Sequence, residues 1–157
     1  MDFNQFDTVS AAEKGAPYHI ECPVSLRPLF DNPKDPFEDN GKPCLVYVKG
    51  QEAASVRAQF RKEQQEKAKE ELKDDDGSSS DYINFDELHD KAVRSFAPRI
   101  VRFENVKKGK KDATADDAEW FLNLNRVNNN PDEKPFVRQV ADFSNSRSGY
   151  LGNDLSG

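Results

Sequence analysis

Six prolines fall within the first fifty residues, at positions 17, 23, 28, 33, 36 and 43. Each fixes φ near about −65° and has no amide hydrogen, so no long helix can run through this stretch. Short extended segments and turns are what remains. Residues 18–23 and 43–49 are the best strands. The second, PCLVYVK, is β-branched and aromatic and is ended by Gly50. Between them, residues 31–42 hold Phe37 as their one large apolar side chain and read as a polar connecting loop. A small hairpin or three-stranded sheet is expected over residues 1–50.

From Gln51 the pattern changes. Ala53, Ala54, Val56, Ala58 and Phe60 suit a helix, and RKEQQEKAKEEL continues it with strong helix formers. Its apolar face then runs out, with Ala68 and Leu72 the exceptions among charged residues. Pairs such as Glu63 with Lys67 add only about 0.2–0.5 kcal/mol each. Residues 51–76 therefore read as a charged, solvated helix, or as an arm that orders on a partner, and residues 77–82 read as a flexible linker. Charged residues make up 33% of the chain against 35% apolar, so much of it must be solvated. Eleven phenylalanines argue against full disorder.

Residues 83–153 read as a helical domain. Phe85, Leu88, Ala92, Phe96, Ile100 and Phe103 recur three or four apart, which predicts one amphipathic helical face, with Pro98 kinking or ending its first part near Ala97. The lysine-rich NVKKGKKDA breaks the pattern as a solvated loop. A third helix is predicted after Thr114, a capping residue, carrying Trp120, Phe121, Leu124 and Val127 and stopped by the asparagines at 128–130. A fourth starts at Pro135 with Phe136, Val140 and Phe143 on one stripe, closed at Gly149 or Gly152. The expected fold class is α+β: a small N-terminal hairpin or three-stranded sheet followed by three to four packed helices.

The formal net charge of −6 repels a phosphate backbone, so nucleic acid is not expected as a partner. The lysines at 107, 108, 110 and 111 have no interleaved aromatic residue. No run is long and apolar enough for a bilayer, and MDFNQFDTVS lacks the basic start and apolar core of a secretion signal. His19 and Cys22 have the spacing of half a metal site, but Cys44 and His89 are far apart in sequence, so metal is not expected and the cysteines read as free thiols. A Cys44–His89 nucleophile pair has no local support. No phosphate-binding loop, dinucleotide fingerprint, nucleophile elbow or HExxH is present. Neither catalytic residues nor a cofactor is expected.

The segment DAEWFLNLNRVNNNPDEKPFVRQVADFSNSRSGYLGN resembles the C-terminal region of phage tail assembly chaperones. The opening MDFNQFDTVSAAEKGAPYHIECPVSLRPLF is similar to the start of such proteins, and PCLVYVKG followed by a charged helix also fits. Arg147, Tyr150, Leu151, Gly152 and Asn153 stand where that family has its Arg, aromatic, Leu-Gly-Asn finish. The resemblance implies a non-enzymatic protein of the host cell cytoplasm that binds the tape measure protein during tail morphogenesis. The major tail tube protein is a second candidate partner, and self-association is left open. Trp120, Phe121, Phe136, Phe143, Arg147, Tyr150 and Leu151 are the expected partner-binding residues, with the charged helix as the rival site. The alternative is a structural tail-completion or head–tail joining protein retained in the virion. A small metal-dependent or thiol enzyme built on the two cysteines and two histidines is the third reading.

Overall fold

A computed structural model describes residues 1–73 and 84–151, and the proline-rich opening begins with a helix. After a 3-10 turn at Phe3–Phe6, α1 spans Thr8–Lys14. Asp7 caps it by accepting from the Ser10 amide at 3.0 Å, and Gly15 stops it with φ of +85°. A Cβ at Gly15 would lie 2.9 Å from Val101 Cγ2, so both the angle and the space demand glycine. Short strands and turns are what the prolines lead one to expect here, and Asp7, seven helix-compatible residues and Gly15 are the local signal for a short helix instead.

The strands follow: β1 at Ala16–His19, β2 at Phe30–Asp31, β3 at Lys42–Pro43 and β4 at Leu45–Val48. β2 and β3 pair antiparallel, so the polar loop from 31 to 42 is the tip of a small ladder, where the Asn32 amide bonds Glu38 and Asn40. Val46 and Val48 are fully buried while Leu45 and Tyr47 are half-buried, the period of two that a strand packed on one face requires.

The charged helix is α2, Ala54–Lys73. The linker expected at 77–82 lies outside the described residues. α3 spans Phe85–Phe96, capped by Asn84, whose Oδ1 accepts from the amides of Asp86 and Glu87. Its buried line runs through His89 and Val93, and Leu88 faces solvent. Pro98 ends it as expected, through a 3-10 turn at Ala97–Arg99.

Ile100 and Phe103 belong to a strand rather than to the predicted helical face. β5, Ile100–Glu104, pairs with β4, and β4 pairs with β1, giving the order β1-β4-β5. The register shifts between Tyr47 and Val48, so that Val48 faces Ile100 while Tyr47 faces Arg102. One extra residue on β5 puts Ile100 and Phe103, three apart, on the same buried face. A three-residue spacing inside a bulged strand imitates a helical period. The sheet is three-stranded, but its third strand comes from the second half of the chain.

The lysine-rich segment is a hairpin, β6 at Lys107–Lys108 and β7 at Lys111–Asp112, turning at Gly109 with φ of +67°. Thr114 and Asp117 form a capping box around a 3-10 turn that leads into α4, Ala118–Leu122. α4 stops at Asn123, five residues short of the expected asparagine run, and Leu124 is exposed. Asparagine side chains here bond backbone in place of the helix: Asn125 Oδ1 accepts from the Phe136 amide at 2.7 Å and Asn128 Oδ1 from that of Asn130. α5, Phe136–Ser144, follows Pro135 as expected and ends at Asn145. Gly149 lies beyond that end, and Gly152 outside the described residues.

The fold is α+β, with five α-helices and small antiparallel sheets among the described residues. Its main core joins Ile20, Val46 and Val48 to Val93, Phe103, Leu122 and Val140, so the early strands and late helices close one interior. A smaller cluster packs Ala12, Ala53, Val56 and Tyr150, with Phe143 touching both.

Candidate partner-binding site

The aromatic residues singled out by the sequence divide by burial. Phe121 and Phe136 stack at 4.5 Å, and Phe103 meets Phe121 edge-on at 5.1 Å; all three are interior. Tyr150 is buried as well, donating its hydroxyl to the Val48 carbonyl at 2.8 Å, and burial drives its pKa upward. Phe143 is half-buried between Tyr18 and Tyr150. Trp120, Arg147 and Leu151 reach the surface in part or in full. Lys108 lies 5.5 Å from the Trp120 ring while pairing with Asp117 at 3.3 Å, so the lysine hairpin partly roofs the indole. Arg147 donates to Glu52 at 2.7 Å and holds that carboxyl below its usual value. These residues do not converge on one exposed face.

The two histidines and two cysteines are separately engaged. His89 is fully buried, with Nδ1 accepting from the Val127 amide at 3.2 Å and Nε2 donating to Asn123 Oδ1 at 2.8 Å. That pins the loop after α4 to α3. His19 Nε2 donates to the Leu29 carbonyl at 2.8 Å. Cys44 donates to the Asn105 carbonyl, and burial, with Asp31, raises its thiol pKa. Hydrogen bonding from Ser25, aided by the Val24 amide and Arg27, lowers that of Cys22. Since the thiolate is the nucleophile, iodoacetamide near neutral pH is expected to modify Cys22 several-fold faster than Cys44. Equal rates in peptide mapping would contradict this assignment.

A concavity lies elsewhere, at the root of α2. A cleft of about 380 Å³ is lined by Gln51, Val56, Arg57, Phe60, Arg61, Arg99 and Asn145. Its position follows from local structure. Gln51 is held by its amide to the Ser144 carbonyl at 3.0 Å and by its side chain to the Asn145 carbonyl at 3.1 Å, which fixes the turn leading into α2 against the end of α5. Val56, Arg57, Phe60 and Arg61 then fall on one helical face by the three-and-four spacing. Arg99 arrives from the turn after α3. Its guanidinium stacks on Phe96 at 4.4 Å and donates to Ser144 Oγ at 2.9 Å, and Ser144 donates in turn to the Lys49 carbonyl at 2.7 Å.

Arg99 Nε is buried and has no hydrogen-bond partner among the described residues. Burial pulls the guanidinium pKa down, and the carboxylate of Glu63 opposes that shift. Phe60 is 54% exposed, and every residue of α2 from 61 to 69 is exposed. The cleft is thus an apolar wall bordered by three arginines, opening onto a bare charged helix. The charged helix is the rival site expected from the sequence, and Arg99, 38 positions beyond Arg61, joins it only in the fold. No helix among the described residues is long and apolar enough to cross a membrane. Searched against protein-family models, curated proteins and solved structures, the chain has no match.

Proposed function

We propose that this chain is a non-enzymatic tail assembly chaperone that binds the tape measure protein in the host cell cytoplasm, with the major tail tube protein as a second client. The observation that carries the reading is the cleft at the root of α2, continuous with an exposed helix. A long helical client needs apolar contact to remain soluble, and a holder needs charge around that contact to keep the complex in solution. The exposed ring of Phe60, with Val56 buried beneath it, offers the first, and the charged residues among 57–69 the second. Such a patch is small beside an obligate interface, which suits a client that must later be released. The similarity of the N- and C-terminal segments to tail assembly chaperones points the same way.

Co-expression of the tagged chain with the tape measure protein of the same phage tests the reading. The tape measure protein is expected to be soluble only in its presence and to co-purify with it, while purified virions contain at most traces of the chain. A stoichiometric copy in virions, with no effect on tape measure solubility, would transfer it to the structural tail-completion or head–tail joining class.

A further inference from the structure

We propose that the cleft at the root of α2 recognises a carboxylate set beside apolar side chains on a segment of a protein partner. Three guanidinium groups, those of Arg57, Arg61 and Arg99, line a cavity whose remaining wall includes Val56 and the exposed ring of Phe60. The nearby carboxylates offset them only in part: Glu52, bonded to Arg147 and Thr8, acts electrostatically on Arg57, and Glu63, which accepts from Gln59, acts on Arg99. Arg99 differs from the other two in having its Nε buried and unpartnered among the described residues, and a guanidinium is planar and suited to two-point contact with a carboxylate.

An anion entering here would meet an arginine already positioned by Ser144 and by the Phe96 ring, at little cost in side-chain ordering. The apolar wall selects against a fully hydrated polyanion, and the net charge of −6 repels nucleic acid. The cleft opens onto the exposed face of α2, so a chain seated in it can continue along the helix. The choice of a protein segment over a free small acid rests on the chaperone reading, whereas the carboxylate-plus-apolar chemistry does not.

The test uses the full-length protein and the peptide acetyl-Ala-Leu-Phe-Glu-Leu-Ala-amide. Its glutamine counterpart, 4-phenylbutyrate and inorganic phosphate are the comparison ligands, with calorimetry and the nitrogen-15 signals of the arginine Nε–H groups as readouts. The glutamate peptide is expected to bind and to move the Arg99 signal, and the glutamine peptide to bind about tenfold or more weakly, since a charge-assisted hydrogen bond is lost. Arg61→Ala and Phe60→Ala alter exposed side chains and should leave folding intact; each is expected to weaken the glutamate peptide several-fold.

Equal binding of the two peptides, or no effect of either variant, would overturn the proposal. Phosphate binding without peptide binding would do the same, reducing the cleft to a simple anion site. 4-Phenylbutyrate binding as tightly as the peptide would reassign it to a small acid. If the peptide binds as expected but the tape measure protein neither binds nor is solubilised, the chaperone reading fails and the cleft chemistry stands; the opposite pattern removes the cleft chemistry alone.

Discussion

Phe121→Ala is expected to lower the unfolding free energy by about 4 kcal/mol, the usual cost of removing a core phenylalanine that its surroundings cannot replace. The ring is 3% exposed, stacked on Phe136 and met edge-on by Phe103, so truncation opens a cavity between α4, α5 and β5. Against a total stability of about 5–15 kcal/mol this is a large fraction, and urea denaturation would register it as a lower midpoint at unchanged slope. A loss below about 1 kcal/mol would mean that the aromatic stack does not hold the core. Any binding defect of this variant would report unfolding. Arg147→Ala, which removes one exposed ion pair, should stay within about 1 kcal/mol of the native protein and is the cleaner probe of the C-terminal segment.

Gln139→Leu is expected to cost about 3 kcal/mol although it adds apolar surface to a buried site. The Gln139 amide is 2% exposed and makes four hydrogen bonds. Its oxygen accepts from the Glu21 amide at 3.0 Å and the Tyr18 hydroxyl at 3.3 Å. Its nitrogen donates to the Glu21 carbonyl at 2.9 Å and the Lys134 carbonyl at 2.8 Å. Leucine would leave the Glu21 amide and two carbonyls unpaired in the interior, at about 1–3 kcal/mol for each group that water cannot reach. Because Glu21 follows β1 and Lys134 precedes α5, this one side chain joins the early and late halves of the fold. Amide exchange at Glu21 should accelerate in the variant along with the drop in stability, and unchanged exchange would show that the network is not holding these segments.

Where a local signal decided the structure, the sequence was legible. Pro98 ended α3 and Pro135 opened α5 because a missing amide acts without regard to context, and the turn after Thr114 closed locally, with Asp117 three residues on accepting from the Thr114 amide. The valine-rich run became the central strand. Legibility failed where a distant partner set the outcome. Ile100 and Phe103 carry a helical spacing, and only their pairing with Tyr47 and Val48 converts it into a bulged strand. α4 stops early where Asn125 finds the Phe136 amide across a loop. Phe121, Phe136 and Tyr150 were attractive as anchors, but a chain with so little apolar content needs them inside. The arginine cleft was unreadable for a related reason: Arg57 and Arg61 look like ordinary solvated charges until Arg99 is carried beside them.

The pairing of β4 with β5 also bears on how fast the protein folds. Val48 meets Ile100 across the whole length of α2, α3 and their connection, so the sheet closes a loop of about fifty residues before its centre is rewarded with contacts. Loop-closure entropy grows only with the logarithm of length, and removing about twenty residues from that loop would ease closure by only about half a kcal/mol. The refolding rate should therefore be governed by β-sheet assembly and be nearly indifferent to the length of the charged arm, which leaves the arm free to lengthen or shorten without disturbing the body that carries it.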